Sequence, residues 1–117
     1  MMIDWTEYHR ELLSGLDEMA KLSPDTVKGY RGVSNAGTHT GKFDAKTREL
    51  IALACAVTLR CDGCITVHTA AAVRNGATRE ELAEALGVAI ALGAGATLVY
   101  SLRTLDAWAS HSASAAA

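Results

Sequence analysis

A chain of 117 residues and 12.3 kDa has room for one hydrophobic core, and surface scaling puts its compact folded area at roughly 6,100 Å². Half of the residues are apolar but only 5% are aromatic, 22 are alanine, and there is one proline and one phenylalanine, so the runs and turn punctuation of a β-sandwich or barrel are missing. The net charge of −2 and pI near 6.0 supply no positive field for phosphate backbones, and nucleic acid is excluded as an expected partner.

Asp4, with Glu7 three residues on, can cap a first helix in which Trp5, Tyr8, Leu12, Leu16 and Met19 recur at helical spacing to an end near Lys21. That acidic opening is not the basic start of a secretory signal, and no small-residue cleavage site follows an apolar stretch, so the expected compartment is the cytoplasm. Ser23-Pro24 predicts a cap and an N1 proline for a second helix, with Val27, Tyr30 and Val33 along it to about Asn35. Gly37-Thr38-His39-Thr40-Gly41 reads as a loop. Asp44 then caps a third helix that is apolar all round over 51–57, the pattern of a core helix. Cys55, in its middle, reads as an inert core residue. This helix is expected to stop near Arg60, and a fourth to run from about Asp62 to an Asn75-Gly76 stop.

Thr78-Arg79-Glu80-Glu81 is a capping box that opens a helix with Leu82, Ala85, Leu86, Ala89 and Ile90 on one face. Gly93 and Gly95 are expected to interrupt it, and a last helix carries Leu98, Leu102, Leu105 and Trp108. The apolar runs at 50–59 and 88–100 fall short of the roughly 20 residues that cross a bilayer, so no membrane span is expected. The sum is an all-α fold of about six helices, one domain over residues 1–110, and a flexible tail at 111–117. The Ala/Gly-rich stretch 83–96 suits close backbone approach, within the chain or between subunits. With a modest share of its surface buried, such a chain gains from oligomerisation.

Cys61-Asp62-Gly63-Cys64 is followed by Ile65-Thr66-Val67-His68. At 100° per residue, Cys61, Cys64 and His68 share one helical stripe. Three cysteines are too few for a disulfide framework, and a close pair in a reducing compartment reads as catalytic or metal-binding. At a helix start, unpaired N–H groups and the macrodipole favour a thiolate, and His68, one turn beyond Cys64, can take its proton. Cysteines at i and i+3 can also close a disulfide when the first occupies the non-helical cap. Cys-Cys-His would also serve as three zinc ligands, with Asp62 or water as the fourth. A thioredoxin-like setting would place a strand before the motif, where this chain has the helix-forming Ala52-Leu53-Ala54-Cys55-Ala56.

If the third and fourth helices form an antiparallel hairpin turning near residue 61, Glu49 lies about 18 Å and His68 about 10 Å from the turn, within range of a water-bridged contact. The expected order is then Glu49, water, His68, Cys64. The other role for Glu49 is that of a solvated first-turn acid complementing the helix dipole. His39, Arg31 and Arg103 read as surface residues.

Glu49, eleven residues, Cys61, two residues, Cys64, three residues and His68 match the E-x11-C-x-x-C-x3-H signature of the alkylhydroperoxidase D-like proteins in the carboxymuconolactone decarboxylase superfamily. The segments 44–53 and 76–81 resemble that family too, and the resemblance covers about residues 20–100. It implies an all-helical fold that assembles as trimers or hexamers and a peroxidase-type cycle with no metal or organic cofactor. In that cycle Cys64 matches the peroxidatic thiol and Cys61 the partner that donates a proton, resolves the intermediate to a disulfide and exchanges with a reductant. Glu49 and His68 match the proton relay. The implied partners are a small hydroperoxide and a thiol or dithiol reductant, either a small molecule or a protein.

Two departures stand out: Gly63 replaces a histidine found just before the second cysteine, and the chain holds one core where the best-studied members hold two. The activity implied is that of a thiol-dependent hydroperoxide reductase or disulfide oxidoreductase. The alternatives are a zinc-bound or redox-sensing module without catalysis, and a lyase of the decarboxylase branch, which generally lacks the cysteine pair.

Overall fold

The computed structural model describes residues 2–116 and contains five helices in the order α1 (Trp5–Leu22), α2 (Pro24–Thr40), α3 (Ala45–Leu59), α4 (Asp62–Arg74) and α5 (Arg79–Ala116). No strand occurs among the described residues, so the all-α expectation holds. Their principal packing runs as a series in space: α2 on α1, α1 on α4, α4 on α3, and α3 on α5. The core at these seams is small, made of Val27, Leu53, Ala56, Ala71 and Ala72. The buried alanines, Ala56 on α3 and Ala71 and Ala72 on α4, are ordered at little side-chain entropy cost.

Each boundary has a local chemical cause. Asp4 Oδ1 accepts the Glu7 N–H at 3.1 Å and starts α1. Asp44 Oδ1 accepts the Thr47 N–H at 2.7 Å and starts α3, and the Asp44 carboxyl is held below its ordinary value, first by its hydrogen bond to the Thr47 side chain and then by the Thr47 backbone N–H. Arg60, left-handed at φ 56°, ends α3. Gly76, at φ 81°, lies just past α4, a conformation that glycine adopts without steric cost. Both capping-box bonds at α5 form: Glu81 N–H to Thr78 Oγ1 at 3.1 Å and Thr78 N–H to Glu81 Oε1 at 3.0 Å. The second carboxylate oxygen of Glu81 binds Lys46 Nζ at 2.8 Å, fastening the root of α5 to the start of α3.

Four expectations need correction. The segment 37–40 is helix and not loop, because α2 continues to Thr40 and ends on Gly41 at φ 61°. Gly37 is used for close approach there: a Cβ on it would lie 3.0 Å from the Arg48 side chain. Gly93 and Gly95 do not break α5, so the two last helices are one and the total is five. That helix continues through the segment expected as a flexible tail to Ala116.

The all-round apolar helix α3 is covered on one side only. Leu53 and Ala56 are buried, while Ile51, Val57 and Cys55 are exposed. Cys55 is therefore not a core residue of this chain. α5 is long and apolar enough to cross a membrane by length and composition, and none of its apolar stretch is buried within the chain.

Candidate active site

α4 begins at the motif itself. Cys61 is the N-cap, in an extended conformation at φ −108° and ψ 99°. Its Sγ accepts the Cys64 N–H at 3.1 Å, the bond that a serine or aspartate would make at this position. Because Cys61 lies outside the helix and Cys64 in its first turn, their Cα atoms are 5.2 Å apart, in the range a disulfide spans, and the two sulfurs are bonded. Both cysteines are half-buried.

His68, one turn further along α4, meets Glu49 of α3. Its Nδ1 lies 2.6 Å from Glu49 Oε2, and the two side chains retain 28% and 22% of their exposure. The expected water bridge is thus replaced by direct contact, since 2.6 Å admits no molecule between the two atoms. Two long side chains reaching toward each other across the α3–α4 seam close the offset that counting helical rise leaves open. The contact also fixes a tautomer. A carboxylate only accepts, so Nδ1 carries the proton and Nε2 is left as the basic nitrogen. Glu49 is then a half-buried residue of the α3–α4 seam in contact with an imidazole.

α1 packs beside the motif. A Cβ on Gly63 would come within 3.3 Å of Leu12 Cδ2, so an apolar side chain from α1 fills the space that a larger residue at this position would need. Trp5 carbonyl oxygen accepts a hydrogen bond from the buried Thr66 hydroxyl at 3.4 Å, a second tie between α1 and α4. Neither contact is readable from the sequence, although Leu12 lies on the predicted apolar stripe.

A cleft of about 670 Å³ runs between α1 and α4 and is lined by Trp5, His9, Leu13, Ile65, Thr66 and Thr69 among others. None of Cys61, Cys64 and His68 lines this cleft, so it is not where the sulfurs are. Among the described residues no group of three His, Cys, Asp or Glu side chains is arranged to hold a metal ion. Two sulfurs bonded to each other offer no thiolate to zinc. His39, Arg31 and Arg103 are exposed, as expected, and the Arg103 guanidinium lies 4.7 Å from the Tyr100 ring centroid.

Comparison with known proteins gives a consistent picture. Residues 24–107 match the sequence model of the carboxymuconolactone decarboxylase family. An uncharacterized protein of Haemophilus influenzae is 44% identical over 108 residues, covering 92% of this chain and 96% of its own. An uncharacterized protein of Cupriavidus necator is 39% identical over 87 residues, 74% of this chain and 77% of its own. The crystal structure of a carboxymuconolactone decarboxylase family protein from Legionella pneumophila, in its apo form, superposes with a TM-score of 0.72 at 38% identity, covering 82% of this chain and 86% of that one.

Proposed function

Because the chain belongs to the carboxymuconolactone decarboxylase family, as an alkylhydroperoxidase D-like member, and joins Cys61 to Cys64 beside a Glu49–His68 pair, we propose that it is a thiol-dependent hydroperoxide reductase. In the reduced protein the free N–H groups at the start of α4 stabilise a Cys64 thiolate, and His68 Nε2 receives the proton. The thiolate attacks the terminal oxygen of a hydroperoxide. The O–O bond breaks, sulfur keeps the hydroxyl as a sulfenic acid, and the alkoxide leaves as an alcohol with the proton returned by His68. The Cys61 thiol then attacks Cys64 Sγ, its proton leaving with the hydroxyl as water as the disulfide forms. Two thiol equivalents from a small-molecule or protein reductant restore the pair. A reductant of that kind is supported best by a thiol-rich compartment such as the cytoplasm.

The observation that carries this reading is a disulfide-bonded pair at a helix start, followed one turn along the same helix by an imidazole in contact with a carboxylate. The test is hydroperoxide consumption with a dithiol by the purified protein. Turnover is expected to vanish in Cys64→Ser and to fall at least a hundredfold in His68→Ala. Undiminished turnover in Cys64→Ser, or stoichiometric zinc in the reduced protein, would remove the mechanism. The family's name favours a second reading, decarboxylation of a lactone carboxylate. That chemistry needs no thiol, so lactone turnover surviving in Cys64→Ser would mark it.

A further inference from the structure

Beside the seam where Gly63 and Thr66 meet α1, the two helices part to leave the cleft of about 670 Å³, inside the size range of small-molecule sites. Glu49 and the redox pair are absent from its lining, so the mechanism makes no use of it. Trp5 and Leu13 of α1 and Ile65 and Ala70 of α4 form its apolar walls. Trp5, His9 and Leu13, at i, i+4 and i+8, lie along one side of α1 over about 12 Å, which makes the hollow a trough. The apolar side chains on both walls are half-buried or exposed, and an apolar chain laid between them removes that surface from water.

The polar side chains of the trough can all donate a hydrogen bond, and no aspartate or glutamate lines it. One donor is already used: the buried Thr66 hydroxyl bonds the Trp5 carbonyl at 3.4 Å. His9 and Thr69, both half-buried, have no hydrogen-bond partner among the described residues. Thr69 differs here from Thr58 and Thr97, whose hydroxyls bond the carbonyl one turn back in their own helices. Arg10 grips Glu7 through Nε and Nη2, and its Nη1 remains for a second acceptor. Partly desolvated donors with nothing to bind favour an acceptor from outside the chain, and beside a guanidinium the strongest acceptor is an anion.

We propose that the α1–α4 trough is a binding site for a medium-chain fatty acid. Its carboxylate accepts from His9, Thr69 and Arg10 Nη1, and its alkyl chain lies along Trp5, Leu13 and Ile65. The site goes beyond the redox reading and does not rest on it.

Trp5 fluorescence tests it, in a Trp108→Phe chain with the disulfide intact, no hydroperoxide present and ligand kept below micelle formation. Decanoate should bind saturably, one molecule per chain. The same acid brominated at its chain end should quench Trp5 and leave Trp108 of a Trp5→Phe chain unquenched. Decanol, with the same body and no charge, should bind about tenfold more weakly or worse, as should decanoate to His9→Leu. Ala70→Phe, which fills the trough, should abolish binding. No saturable binding, equal affinity for decanol, or undiminished binding in His9→Leu or Ala70→Phe overturns the proposal. So does a Trp5 that the brominated acid leaves unquenched, the result expected if another copy of the chain covers the trough, or a Trp108 quenched as strongly as Trp5. If Ala70→Phe does not fold, the quenching pair and the decanol comparison decide alone.

Discussion

Replacing Glu49 by glutamine probes the site with a change of one atom. The carboxylate accepts from His68 Nδ1 at 2.6 Å in a half-buried seam. Hydrogen bonds to a charged group contribute about 1.5–3 kcal/mol and neutral ones about 0.5–1.5 kcal/mol. A glutamine that retains the geometry would therefore weaken the hold on the Nδ1–H tautomer by about 1–1.5 kcal/mol, which is roughly 5- to 13-fold in rate at 1.36 kcal/mol per decade. An amide can also turn its NH2 toward Nδ1, moving the ring proton to Nε2 and removing the base, so this factor is a lower bound for Glu49→Gln.

The assay is the second-order rate constant for loss of both Cys61 and Cys64 thiols when the reduced protein meets a hydroperoxide, with His68→Ala alongside. The imidazole itself is expected to account for about 10²–10⁴. Thermal midpoints of the variants establish that the α3–α4 seam is intact. If Glu49→Gln oxidises within twofold of the natural protein while His68→Ala loses a hundredfold, then the carboxylate does not orient the ring for catalysis, and the tautomer it fixes has no part in the chemistry.

Three further predictions follow from geometry elsewhere. Arg60 holds a left-handed conformation at φ 56°, which costs a residue with a Cβ about 1–2 kcal/mol; Arg60→Gly should raise the thermal midpoint by about 4 °C for a gain of about 1 kcal/mol, and a lowered midpoint would contradict the strain. Gly63→His must displace Leu12, whose Cδ2 is already 3.3 Å from the Cβ position, so denaturant unfolding should show a loss of about 1–3 kcal/mol from overpacking, with Leu12→Ala partly restoring it. The Glu81 carboxyl is held below its ordinary value near 4.5, first by its bond to Lys46 and then by the Thr78 backbone N–H. A carboxyl depressed in the folded state stabilises the fold above pH 4.5 and loses that contribution as pH falls through its folded value. Stability measured from about pH 7 to 3 should therefore drop on the acid side, and Glu81→Gln should flatten that drop; an acid limb of equal depth in the variant would assign it to other carboxyls.

The sequence revealed most where one residue type dictates one local geometry. Asp44, the Cys61 cap, the Asn75-Gly76 stop and the Thr78–Glu81 box each act through a hydrogen bond or a φ value set within four residues, and each is found where the spacing puts it. The stripe of Cys61, Cys64 and His68 is legible for the same reason. What the sequence hides depends on competition or on distant surfaces. Gly93 and Gly95 read as breaks, but a helix glycine costs only about 1 kcal/mol relative to alanine, too little to stop a run of alanine and leucine. Cys55 reads as core because its neighbours are apolar, yet composition says that a face wants cover and not which surface covers it. The Leu12–Gly63 contact depends on how α1 lies across α4, and nothing in either segment alone encodes that angle.

The double grip of Glu81, one oxygen on the Thr78 N–H and the other on Lys46, has a mechanical side. α5 is 38 residues long, a rod of about 57 Å clamped near one end. A swing of about 5° at the clamp carries the far tip through roughly 5 Å, a full helical turn by pitch. Where Trp108 finally points is thus set well down the chain, where α5 rests on α3 and the Lys46–Glu81 pair ties its foot.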